Sequence, residues 1–94
     1  MELSERCIQT LEKEGFPSVY EIQDAPDAIY EEHTHKGKVT LFVTEGVFEI
    51  TFLGQTKRLV AGDRVDIPKD TPYSALVGPT GCQLVVGEEV DGDF

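Results

Sequence analysis

The chain has no tryptophan, one methionine, two cysteines and two histidines in 94 residues, and it sets eight lysines and arginines against eighteen aspartates and glutamates. Each scarcity removes a class of function. With a net charge of −10 and no stretch in which lysine or arginine gathers, nucleic acid is not expected as a partner, because phosphate binding needs clustered cations that release counterions. Anionic membrane surfaces are disfavoured for the same reason. No apolar run approaches the roughly 18–20 residues of a spanning helix, and Met1-Glu2-Leu3-Ser4-Glu5-Arg6 has neither the basic start nor the apolar stretch of a secretory signal, so a cytoplasmic location is expected. Cys7 and Cys82 lie far apart with no CxxC, which suggests neither a disulfide framework nor a zinc knuckle. Two reduced, half-buried thiols are the expectation. The length allows a single domain and no second one to hold a nucleotide or substrate separately.

What is present has two periods. Near the N-terminus Leu3, Cys7 or Ile8 and Leu11 recur at helical spacing, Ser4 is a candidate cap, Glu5 falls in the first turn, and Gly15 followed by Pro17 stops the run, so a helix over about 4–14 is expected. From Ser18 the period becomes two. Runs at 18–23, 28–32, 38–44, 47–53, 56–60, 64–67, 73–77 and 83–87 are rich in Val, Ile, Thr, Phe and Tyr. Turn residues separate them, among them Asp24-Ala25-Pro26-Asp27, Glu45-Gly46, Ala61-Gly62-Asp63 and Gly78-Pro79-Thr80-Gly81. Phe48, Ile50 and Phe52 share one strand face, and Val65 and Ile67 alternate with Arg64 and Asp66, so one face is core and the other wet. Short strands at this spacing spell an all-β, antiparallel barrel or sandwich, over about 18–88. The acidic, glycine-broken tail at 89–94 reads as a frayed end or an interface arm.

The only histidines, His33 and His35, are separated by one residue. On a strand that spacing puts both on one face, near enough to converge on a metal ion, with Glu31 on the same face if the strand continues. Read with Gly46, with Gly62 to Pro68 and with Thr71-Pro72-Tyr73, the pair resembles the two motifs of the cupin family, Gly-x5-His-x-His-x3-4-Glu-x6-Gly and Gly-x5-Pro-x-Gly-x2-His-x3-Asn. The resemblance covers about Val19 to Gly87. It implies a small cupin barrel, a double-stranded β-helix or jelly roll, and a homodimer, which a core this small also favours.

The departures from those motifs fall on the chemistry. His33 and His35 match two metal ligands, but the expected Glu falls at Val39 or Thr40, and Tyr73 stands where the third His belongs. Val77 replaces Asn, and Asp27 and Asp70 replace glycines. The family's metals are Fe, Mn, Ni, Cu or Zn, and two imidazoles bind such a divalent transition metal only weakly unless oxygen donors complete the shell, for which Tyr73, Thr40 and Glu31 are the candidates. Cys82 alternates with Leu84 and Val86, which reads as core packing, and if that face points inward its thiol approaches the same cavity. Glu31, Glu32, Asp63, Asp66 and Asp70 are better explained by solvation than as acid/base pairs.

Two functional readings follow. The first is a binding module holding a small molecule in the barrel cavity beside a degenerate two-His site. The second is a metal-dependent isomerase, lyase or dioxygenase using His33 and His35, with Tyr73 as a candidate catalytic group. An interaction protein with a vestigial cavity is a third. No Ser/His/Asp or Cys/His nucleophilic arrangement is readable.

Overall fold

Helix α1 (Leu3–Lys13) carries its apolar stripe inward: Cys7 and Leu11 are buried, with Leu3, Ile8 and Phe16 half-buried beside them. The computed structural model describes residues 1–94. Glu2 occupies the cap position with no side-chain cap bond, so Ser4 lies within the first turn and is not the cap the sequence suggested. Gly15, at φ 93°, ends the helix in the left-handed region, as the sequence predicts.

Six antiparallel strands follow: β1 (Ser18–Asp24), β2 (Ile29–His33), β3 (Val39–Phe52), β4 (Gln55–Leu59), β5 (Arg64–Ile67) and β6 (Tyr73–Glu88). The sequence predicts seven or eight, because two of its turn signals fall inside strands. Glu45-Gly46 is not a hairpin turn: β3 runs straight through it and pairs with β6 from Val39↔Glu88 to Phe52↔Tyr73. The register slips between Val43 and Glu45 and between Gly46 and Phe48, so Glu45-Gly46 and the Gly78–Gly81 segment bulge opposite one another. Here Gly46 is at φ 78°, and a Cβ on it would sit 2.1 Å from the Gly81 carbonyl oxygen. Only glycine fits.

The paired bulges let two long strands bend and change layer. Before the bend, β1, the end of β6, the start of β3 and β5 form one four-stranded layer; beyond it, β2, the start of β6, the end of β3 and β4 form the other. Fourteen buried side chains meet between the layers. Val39, Leu41, Val43, Val65, Ile67, Cys82, Leu84 and Val86 come from the first, and Phe48, Ile50, Leu59, Tyr73, Ala75 and Val77 from the second. The alternation read for Phe48 and Ile50 and for Val65 and Ile67 is the alternation observed. Outside the first layer α1 closes a second cluster with Val85, Val19 and Phe42.

The tail is a correction to the sequence reading. Residues 89–94 do not fray; they fold back over one end of the barrel. Glu89 exchanges backbone and side-chain bonds with Lys38, and the buried Glu88 accepts from the Gly92 and Phe94 amides, each at 2.9 Å.

Candidate functional site at the barrel mouth

A second bulge builds the site. On β2, Tyr30 pairs with Ala75 and His33 with Tyr73, so three residues of β2 advance against two of β6. The strand phase therefore flips, and Tyr30 and His33 both face inward. Glu31, expected on the face of His33, is turned outward: it is exposed and lines a depression on the outer sheet face with Ile29, Glu49 and Leu76. Only its carbonyl meets the site, 2.6 Å from His33 Nδ1.

The two imidazoles do come together, with ring centroids 5.0 Å apart and planes at 86°. Tyr73 joins them, fully buried, its ring 4.4 Å from that of His33 and 5.5 Å from that of His35. The loop beyond Pro68 holds this corner through the backbone, since the Asp70 amide donates to the His35 carbonyl at 2.9 Å. Asp70 and Asp27, standing where the resemblance expects glycine, both adopt positive φ, 58° and 60°. The backbone shape survives the substitution, because Asp is among the few residues that tolerate this region.

Both nitrogens of His35 are committed. The Asp93 carbonyl lies 2.9 Å from Nδ1 and can only accept, so Nδ1 carries the proton. In the neutral ring Nε2 is then an acceptor, and the Tyr73 hydroxyl donates to it at 2.9 Å. Burial, and after it the negative charge of Asp93, pushes the Tyr73 phenol well above its ordinary value, so it stays protonated and keeps donating. His33 spends Nδ1 on the Glu31 carbonyl, which leaves Nε2 as the one imidazole nitrogen with no protein partner.

The tail supplies residues that sequence reasoning missed. Asp93 accepts from the amides of Lys36 and Gly37, each at 3.0 Å, and the Phe94 ring stacks on His35 at 5.5 Å and 13° while tilting against Tyr30 at 5.9 Å. Burial works to raise the Asp93 carboxyl, but the two amides and the nearby His35 and Lys36 outweigh it and hold the group below its ordinary range. Glu88, 1% exposed, takes a third donor from Tyr20 at 3.3 Å. Burial, then the Glu88 charge, pushes Tyr20 up to about 12.

The remaining candidates lie elsewhere. Thr40 is buried on the helix side of β3, where its hydroxyl donates to Asp66. Cys82 does belong to the core, but its thiol rests against Asp24, which also accepts from Tyr30 at 2.7 Å. Burial, then the Asp24 charge, pushes that thiol up to about 12, far from a reactive thiolate. Asp66 and Asp63 serve as a partner for Arg64 and as a turn acceptor for Val60.

The donor set does not fit a resident transition metal. No three His, Cys, Asp or Glu side chains gather at ligand spacing, His35 has no uncommitted nitrogen, Tyr73 holds its proton, and no buried side-chain nitrogen or oxygen lacks a partner. Nor is the barrel interior open. Its surface carries four depressions of about 110 to 360 Å³, and none is lined by His33, His35 or Tyr73, so the expected interior cavity is filled by the rings and the tail.

No protein-family model matches the chain, and no curated protein matches it. Solved structures do. The chain is similar to an RmlC-like cupin from Shewanella frigidimarina at 28% identity and a TM-score of 0.70, covering 81% of this chain and 68% of that one. It is also similar to KdgF from a Halomonas species, at 22% identity and a TM-score of 0.67, covering 80% and 70%. The DMSP lyase DddQ from Ruegeria pomeroyi matches at 22% identity and a TM-score of 0.71, over 81% of this chain and 39% of that one. The chain has the cupin fold. The two more distant likenesses speak to fold alone, and activity has to be argued from the site.

Proposed function

We propose that this chain is a small-molecule binding module on a cupin barrel, that its ligand enters at the mouth formed by His33, His35 and Tyr73, and that binding needs no resident metal. The observation that carries the reading is the commitment of both His35 nitrogens, one to the Asp93 carbonyl and one to the Tyr73 hydroxyl. A histidine held in that way has no nitrogen to give a metal, and the polar group left for a bound molecule is His33 Nε2, which has no protein partner. Around His35 stand Tyr30, His33 and Tyr73, an aromatic lining with few, fixed polar groups of the kind small-molecule sites use, covered by the Phe94 ring of the tail.

The second reading is a metal-dependent enzyme with His33 and His35 as ligands, supported by the existence of a lyase on the same fold. It requires His35 to give up Tyr73 or Asp93, and an oxygen donor to complete the shell.

The test uses chelator-treated protein purified without a histidine tag, screened by NMR with small carboxylic acids, sugar acids and neutral aromatic fragments. Bound fragments are expected to shift the His33, His35 and Tyr73 side-chain signals equally with and without one added equivalent of Zn2+. Shifts that appear only after zinc is added would favour the enzyme, and shifts confined to other surfaces would overturn the assignment of the mouth.

A further inference from the structure

We infer that the 89–94 tail is a built-in occupant of the barrel mouth, and that the mouth takes small molecules in which a carboxylate is joined to a planar aromatic ring. The inference deepens the binding reading above and rests on it.

The tail presents three chemical features to three parts of the barrel that are not tail. The two carboxylate oxygens of Asp93 each meet one backbone amide, Lys36 on Oδ1 and Gly37 on Oδ2, both at 3.0 Å. Fixed amide pairs of this kind are anion subsites that need no lysine or arginine side chain. Between the two tail side chains the Asp93 carbonyl accepts from His35 Nδ1 at 2.9 Å. Beyond it the Phe94 ring lies flat on the His35 ring, 13° from parallel, and leans on Tyr30. A carboxylate, an acceptor and an aromatic plane are thus read at one place, by Lys36, Gly37, His35 and Tyr30.

Nothing about the tail's hold prevents exchange. It is tied by hydrogen bonds at separate points: Glu88 to the Gly92 and Phe94 amides, Ser18 to Asp91 at 3.2 Å, and a pair between Glu89 and Lys38. Its one aliphatic side chain, Val90, is 38% exposed. Segments held this way open at low free-energy cost, unlike core strands. A ligand offering the same three features replaces the bonds it breaks. An attached occupant competes at high effective concentration, so the intact chain binds a free ligand more weakly, by the fraction of time its mouth is clear.

The experiment compares the intact chain with the Asp93→Ala, Phe94→Ala double variant and with Glu88→Gln, which loosens the anchor without touching the mouth. The titrant is N-(2-phenylethyl)succinamate, in which carboxylate, carbonyl and ring are spaced as in Asp93-Phe94, with neutral N-(2-phenylethyl)succinamide as control. Physiological ionic strength limits the reach of the chain's overall negative charge to about 8 Å. The double variant is expected to bind N-(2-phenylethyl)succinamate roughly tenfold or more tightly than the intact chain, with shifts at the Lys36 and Gly37 amides and the His35 ring. Glu88→Gln should fall between the two, and the amide control should lose most of the affinity.

Equal affinity in all three proteins, with shifts at the mouth, would overturn the tail as competitor while leaving the binding reading intact. A folded double variant, confirmed by a dispersed spectrum, that ignores N-(2-phenylethyl)succinamate while other fragments still shift His35 would overturn the ligand class alone. Failure of every fragment to reach the mouth of that variant would sink both.

Discussion

The barrel has two covers, and they are held by opposite physics. Helix α1 lies on the outer face of one layer through Cys7, Leu11, Ile8 and Phe16 against Val85, Val19 and Phe42, with the Glu14–Arg64 pair at the surface beyond its end. The tail lies on the mouth through named hydrogen bonds to His35, Lys36, Gly37 and Glu88, with a single ring as its apolar contribution. Apolar burial is non-directional and has no ready substitute in solution, so the helix is a permanent part of the fold. Each hydrogen bond of the tail nets only about 0.5–1.5 kcal/mol over water and can be re-made by a ligand with matching groups. The first cover builds the protein and the second occupies its site.

Substitutions that cut one cover and spare the other break this comparison. Leu11→Ala should have the largest effect, about 2–5 kcal/mol lost in urea unfolding, because Leu11 is fully buried and its removal leaves a cavity. The Lys36 and Gly37 amide signals should not move. Tyr73→Phe should come next, at about 1–3 kcal/mol, since the ring volume stays while His35 Nε2 becomes a buried acceptor without a donor. Its distinguishing mark is a change in the His35 ring nitrogen shifts.

Asp93→Ala should cost about 1 kcal/mol or less, because the freed Lys36 and Gly37 amides can bond to water, and their hydrogen exchange should quicken while that of Leu41 and Val86 is unchanged. Acid should reproduce this effect. The Asp93 carboxyl is held below its ordinary value of 3.8, so its contribution is complete above that pH and is lost as the pH falls through the lower folded value. A titration of the Lys36 and Gly37 amide shifts checks it, with Asp93→Ala as the flat control. Arg64→Ala should have the smallest effect, no resolvable change in unfolding midpoint, although Arg64 meets Glu14 through two bonds of 2.6 Å, because the pair is solvent-exposed.

How far each cover could be read from the sequence follows from the same physics. Helix α1 and the alternating strands were legible, since Leu3, Cys7 and Leu11, or Phe48 and Ile50, announce a buried face by local spacing alone. The Gly62 to Pro68 spacing kept the fold readable as well, although Asp27 and Asp70 stand at glycine positions. The bulges were not legible: Glu45-Gly46 looks like a hairpin turn until Gly78–Gly81 is known to lie opposite it. The phase flip between Tyr30 and His33 is likewise set by the partner strand, which is why Glu31 points away from the site. The tail contacts join residues 57 and 58 positions apart, and Asp93-Phe94 carries no pattern beyond acidity. Of the site, the pair of histidines and the inward Tyr73 were readable, whereas what they bond to was not.

The most direct test of the committed His35 is a metal measurement. Tag-free protein is analysed for bound elements as purified and then titrated with Zn2+, Mn2+, Ni2+ and Fe2+, beside the His33→Ala, His35→Ala double variant. If Tyr73 and Asp93 hold both His35 nitrogens, the intact chain carries no near-stoichiometric metal and its titrations stay at the weak background of the double variant. One metal per intact chain, lost in the double variant, would contradict that arrangement and make the mouth a metal centre.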